Sequence, residues 1–229
     1  MKTLALETSG RTGSVAIWDS ENPDPPTEIS LPQETRTAES LVVVIEEALI
    51  RCGWLKGDLK LISVTQGPGS FTGLRIGCVT AKVLAFAVNA QLVGVNSLDV
   101  LAENSPEGSP LWCVMDAGRG QCVAARYLIE TADHRQTSIE PQLMETEAWL
   151  HRLTQGERVT GPLLTTLGVR LPETVKPLPK EYWHPRAECV ARLGAEKFKS
   201  GQVASLWDFS PHYYRLSAAE EKRLTADRN

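Results

Sequence analysis

Two acidic residues stand at matched places in this chain, and both are of a type that can hold a cation. Glu7 opens the stretch ETSGRTGSVA and Asp116 opens DAGRGQCVA. Each stretch has an acid, a small residue, Gly-Arg in the turn and Val-Ala in the returning segment. Carboxylates ending two matched strands could face each other across a cleft and hold Mg2+ with a nucleotide. Alternatively, each accepts hydrogen bonds from nearby turn N–H groups. A third stretch, TQGPGSFTGLR at 65–75, puts a glycine loop before a helix start, where free N–H groups and the helix dipole suit an anion. Glu7, Thr8, Gly67, Gly69, Ser70 and Asp116 are therefore the candidate phosphate-loop residues, in degenerate form. The Walker pattern needs Gly-Lys five residues after its first glycine, but Thr72 follows Gly67 at that spacing and Leu74 follows Gly69. The dinucleotide pattern fails at the same Thr72, so both common nucleotide loops are excluded. The structural alternative is a stiff turn with Ser70 capping the helix.

Other chemistry is thinly represented. The five cysteines contain no CxxC pair, which argues against a zinc site or a disulfide framework and fits reduced thiols. The four histidines, His134, His151, His184 and His212, lie too far apart for HxxxH or HExxH on one helix. No GxSxG occurs, and a peptidase reading has no nucleophile or metal set behind it. A net charge of -4 with scattered basic residues argues against a chain that grips nucleic acid alone. The N-terminus has no signal-peptide apolar region, and apolar runs such as 83–88 are too short to span a bilayer, so the expected location is the cytoplasm.

The elements that must position these residues follow from periodicity. Residues 3–7 and 13–18 read as a hairpin, 27–31 as a third strand, 37–51 as a helix, 59–65 as a strand, 70–88 as a helix and 92–95 as a strand. After a break at 105–110, residues 111–115 and 121–128 form a second hairpin. This weak internal repeat suggests two lobes of one topology, 1–106 and 107–229. Helices at 146–153 and 186–200, a proline-rich crossing at 172–185 and a frayed tail from 217 complete the expectation. Helix 70–88 carries Gly73, Gly77, Ala81 and Ala85 every four residues, a ridge that admits a close neighbour. Apolar residues cover its other faces, so it needs burial on two sides. Helix 37–51, with the run Leu41-Val-Val-Val-Ile45, exceeds what one core stripe requires. The two helices could present a joint apolar face to a partner, or both could be internal.

The combination LALETSGRTGSVAIW, TQGPGSFTGLRIG, GVNSLDVLA, MDAGRGQ and a late YYR resembles the TsaB family over residues 1–127, with an echo at 211–215. That resemblance implies a two-lobed α/β fold of the actin, hexokinase and Hsp70 type (ribonuclease H-like), each lobe opening with a β-hairpin. It implies a noncatalytic subunit that supports TsaD in threonylcarbamoyl transfer to the adenosine beside a tRNA anticodon. By resemblance, the helices after Thr37 and Ser70 pair with TsaD, through Leu41, Val44, Ile45 and Ala48 on the first and Phe71, Gly73, Leu74, Gly77, Cys78 and Ala81 on the second. Gly77→Leu or Ala81→Arg would then abolish pairing and leave the monomer folded. TsaE is a further implied partner and TsaC acts upstream; tRNA is reached through the complex, and the isolated chain could pair with itself. No cofactor or metal is expected on this chain, with ATP and metal on partner subunits. The chain departs from the family in Glu7 where Asp is frequent, in Gln33-Glu34-Thr35 where His is common, and in Pro162 beside Gly161 at the place of the nucleotide-binding relatives' double glycine. The alternative class is an autonomous Mg-dependent ATPase or small-molecule kinase.

Overall fold

A computed structural model describes residues 1–32, 37–108, 110–131, 134–167 and 170–215. The Gln33-Glu34-Thr35 stretch and the tail from 217 lie outside the described residues. The chain opens with strands β1 (Lys2–Glu7), β2 (Ser14–Asp19) and β3 (Thr27–Ser30), then helix α1 (Thr37–Arg51). Strand β4 (Leu61–Gly67), helix α2 (Phe71–Val88), strand β5 (Gln91–Asn96) and the short helix α3 (Ser97–Glu103) follow. The first sheet has the order β3-β2-β1-β4-β5, with β1 antiparallel to β2 and parallel to β4.

The second half repeats this arrangement. Strands β6 (Leu111–Gly118), β7 (Gln121–Thr131) and β8 (His134–Glu145) are succeeded by helix α4 (Thr146–Leu150), strand β9 (Arg158–Thr160), helix α5 (Leu164–Leu167) and strand β10 (Lys176–Pro177). Read from its other edge, the sheet order is β8-β7-β6-β9-β10, with β6 antiparallel to β7 and parallel to β9. Strand for strand this is the topology of the first sheet. The weak hairpin repeat in the sequence therefore reflects two lobes built alike, and the two-lobed ribonuclease H-like architecture is present.

The expected boundary at 106/107 separates the two sheets but not the two packing units. Helix α6 (Ala187–Lys199) returns from the second half and lies on the first sheet. The reason is coverage. Leu4, Leu6, Ile62 and Val64 point toward α1 and α2, while Ala5, Ala16, Leu61, Val93 and Val95 point to the opposite face. Two helices cannot cover both faces of one sheet, and α6 supplies Ala187, Val190, Ala191 and Ala195 to the second. β1 is consequently buried on both sides, which explains its unbroken run of interior residues from Thr3 to Glu7.

α2 is capped as its sequence suggests: the Ser70 hydroxyl accepts from the Gly73 N–H at 3.3 Å, and Asn89 ends the helix in the left-handed region at φ 53°. By length and composition alone α2 could cross a membrane. Its packing needs none, because Gly73, Leu74, Gly77, Cys78, Ala81 and Ala85 are buried inside the chain.

Candidate functional site

Glu7 is fully buried at the end of β1. Its Oε1 accepts from the Ser9 N–H at 2.7 Å, from the Ser9 hydroxyl and from the Thr65 hydroxyl at 3.4 Å, whereas Oε2 is buried with no hydrogen-bond partner. Burial pushes its carboxyl up from the ordinary 4.5 to about 7, because loss of hydration outweighs those donors. Asp116 occupies the equivalent place on β6 and its Oδ1 accepts from the Gly118 N–H at 2.7 Å. The two acids thus do the same local job, each accepting from the N–H two residues on. Asp116 is exposed and Glu7 is sealed. Among the described residues no three His, Cys, Asp or Glu side chains gather into a metal-type cluster.

The two hairpin turns do meet across an inter-lobe cleft. One cavity of about 680 Å3 is bordered by Ser9, Gly10, Arg11, Thr12, Gly69, Ser70 and Asp116, with Pro162, Thr165 and His184 opposite. A second, of about 430 Å3, lies between Gly69, Phe71, Leu74, Asp116, Ala117, Arg119 and residues 212–215. Of the candidate phosphate-loop residues, Gly69 and Asp116 line both cavities and Ser70 one, while Glu7, Thr8 and Gly67 stand behind. The loop backbone is committed inward as well, since the Ser70 N–H donates to the Ser9 carbonyl at 2.8 Å. Thiol chemistry is not favoured: burial pushes Cys78 and Cys189 up to about 12 and Cys122 to about 11.

The small-residue ridge of α2 corrects the expected docking face. A Cβ at Gly73 would run into the Thr8 carbonyl and one at Gly77 into the Thr8 hydroxyl, so the ridge exists to let α2 lie against the first hairpin turn. Leu74, Cys78 and Ala81 share that inward side, and on α1 Leu41, Val44, Ile45 and Ala48 are 0–4% exposed in the core. Of the ten residues assigned to the partner face, only Phe71 is exposed, at 38%, and it is stacked on Tyr213. Gly77→Leu and Ala81→Arg would consequently attack the fold itself.

The outward apolar side chains are the neighbours of those residues. Val42, Val43 and Ile50 on α1 are 61–72% exposed, and Val79, Val83 and Phe86 on α2 are 59–68% exposed. Between the helices runs an apolar groove of about 280 Å3, bordered by Val42, Ile45, Leu49, Val79, Val83 and Leu84. Exposed apolar side chains gathered on one face are the kind of surface from which interaction sites are made. Helical periodicity marks the inner stripe, and the apolar residues in excess of that stripe are the signal for the outer one.

A family model described as "TsaD: tRNA N6-adenosine threonylcarbamoyltransferase" matches residues 32–182, from before α1 into the second lobe. The chain belongs to this family, in its TsaB branch. The TsaB protein of Bacillus subtilis (strain 168), "tRNA threonylcarbamoyladenosine biosynthesis protein TsaB", is 29% identical over 250 residues, covering all of both chains. That of Escherichia coli (strain K12) is 24% identical, covering 97% of this chain and 98% of its own. The tRNA N6-adenosine threonylcarbamoyltransferase of Bacillus subtilis is 45% identical over only 60 residues, 26% of this chain and 17% of that protein. In three dimensions this TsaB-branch chain superposes on YeaZ from Pseudomonas aeruginosa with a TM-score of 0.77 at 20% identity, covering 93% of this chain and 99% of that one. A second Pseudomonas aeruginosa structure, of a protein with similarity to peptidase YEAZ, gives 0.79 at the same identity and coverage. These structures establish the shared fold.

Proposed function

We propose that this chain is a noncatalytic subunit of tRNA threonylcarbamoyladenosine biosynthesis that docks on a TsaD-type transferase through the outer sides of α1 and α2. The observation that carries the reading is the apolar groove between those helices on a chain whose full-length curated relatives are TsaB proteins. Hydration of exposed valines is given up on docking. Covering the roughly 60% exposed Val42, Val79 and Val83 along the groove contributes about 1 kcal/mol each, enough to make this groove the centre of an interface. The burial of Glu7 and the local engagement of Asp116 support the absence of bond chemistry on this chain. ATP, the metal and the transfer step then belong to partner subunits, TsaE among them, with TsaC upstream and tRNA met through the assembly. In isolation the same groove serves self-pairing, and the working location is the cytoplasm.

The test is to mix the chain with TsaD and weigh the complex. Val83→Asp places a charge on a residue that is 59% exposed, so the monomer keeps its fold and melting temperature while the complex is lost. An undiminished complex with Val83→Asp and with Val42→Asp would refute this face.

A further inference from the structure

The C-terminal residues 204–215 form no regular element, yet they are heavily anchored. On the first lobe, the Ala204 N–H donates to the Leu92 carbonyl at 2.8 Å, and Lys82 Nζ donates to the Trp207 carbonyl at 3.1 Å. Phe209 enters the core beside α2. Gln66 binds the segment twice, its Nε2 donating to the Ser210 carbonyl and its own carbonyl accepting from the His212 N–H, both at 2.7 Å. Tyr213 stacks on Phe71 with centroids 4.6 Å apart and its hydroxyl accepts from Arg75 Nε at 2.9 Å. The Tyr214 hydroxyl accepts from Asn96 Nδ2 at 2.8 Å, and its ring stacks on His212.

The segment then reaches the second lobe. Arg215 Nη1 donates to the Ala117 carbonyl at 2.9 Å, at the end of β6, and Tyr214 packs on the cluster containing Met115 and Val123. The body of the first lobe is shaped for this passage. Gly67 has φ 131°, and a Cβ there would strike the His212 carbonyl; a Cβ on Gly94 would first meet the side chain of Gln66, which holds Ser210, and would come within 2.9 Å of the Phe209 ring. Two features of the central loop and of β5 are thus spent on seating a segment from the far end of the chain.

We propose that residues 209–215 are a strap that holds the two lobes at one fixed opening, with Arg215 as its fastening on the second lobe. Among the described residues the backbone passes between the lobes twice besides, outward after α3 and back before α6, and α3 is packed between the sheets with Asp99 and Glu103 held by Tyr127 and Arg135 of the second lobe. The strap is a third link, and opening the cleft must break the Arg215 bond and withdraw Tyr214 from its cluster. A lobe pair fixed in this way presents one rigid surface, and the inference concerns the isolated chain, so it stands apart from the docking reading.

Hydrogen–deuterium exchange on the full isolated chain tests it, comparing the parent with Arg215→Ala. The readout is the amides of residues 9–12 and 164–167; residues 9–12, Thr165 and Thr166 line the cleft beyond the strap, and Leu164 and Leu167 are core residues on the same short helix. Rocking raises their exchange about three- to tenfold, the factor set by losing one net hydrogen bond. Tyr214→Phe keeps the ring and removes only the Asn96 bond, and it raises exchange at the same sites to a lesser degree. Faster exchange confined to residues 209–215 and 66–75, with 9–12 and 164–167 unchanged in both variants, overturns the strap.

Discussion

Replacing Glu7 by Gln isolates the cost of a sealed carboxylate. The side chain is fully buried and one oxygen has no partner, so the ionised form is stabilised only by Ser9 and Thr65. Burial raises the carboxyl from 4.5 to about 7. A raised folded-state value means that the protonated form is the one the fold prefers. The stability tied to this group is therefore complete below pH 4.5 and is lost as pH rises through about 7. At 1.36 kcal/mol per pH unit, the interval from 4.5 to about 7 corresponds to about 3 kcal/mol. Gln keeps the shape and one acceptor and does not ionise. Urea unfolding of parent and Glu7→Gln at pH 5, 6, 7 and 8 measures the difference directly, since every other titrating group is common to both. The parent loses about 2.5 kcal/mol relative to the variant between pH 5 and 8, because part of the loss has already occurred at pH 5. Parallel pH profiles for the two proteins would show that Glu7 is hydrated, and with it that the end of β1 is open to the cleft.

Gly73→Ala sets helix propensity against packing: propensity alone favours Ala by about 1 kcal/mol, whereas the Thr8 carbonyl stands where the new Cβ must go. The expected result is net destabilisation of about 1–3 kcal/mol by chemical denaturation, and a stabilised variant would mean that α2 does not lie on the first hairpin turn. Glu157 holds Arg126 Nε at 2.7 Å, Trp112 Nε1 at 3.0 Å and the Thr154 N–H at 2.9 Å, almost without solvent contact. Removing it as Glu157→Ala leaves those donors unpaired and costs about 3 kcal/mol, read as a lowered denaturation midpoint. Ala81→Arg, at a fully buried site, gives insoluble or unfolded protein, in contrast with the folded Val83→Asp two residues along the same helix.

The contrast between those two positions shows what the sequence could convey about the site. Periodicity located α1, α2 and both hairpins because each has enough residues to display a repeat. It identified a close approach at Gly73 and Gly77 but not its target, since Thr8 is distant in sequence and nothing local distinguishes a hairpin turn from a foreign helix as the neighbour. For the same reason the stripe assigned to a partner is instead the one the core takes. In the run Leu41-Val-Val-Val-Ile45 the core takes Leu41, Val44 and Ile45, and the two middle valines are left outside. α3, β9 and β10 are too short to show a period, and β8 carries a mixed pattern along HRQTSIEPQLME at the sheet edge.

Residues 204–215 were illegible for a deeper reason. Their positions are fixed by Gln66, Arg75, Lys82 and Asn96, side chains more than a hundred residues earlier, and by an inward path that only Gly67 and Gly94 permit. The glycines of the central loop looked like a phosphate cradle because a cradle and a seat for a passing backbone make the same demand, room for an approaching oxygen. Gly67 meets the carbonyl of His212, and Gly69 that of Ser9. Both oxygens are carbonyls of this same chain, so the loop's free space is already filled from within. That is the physical reason a motif with the outline of an anion site serves here to seat the chain's own backbone.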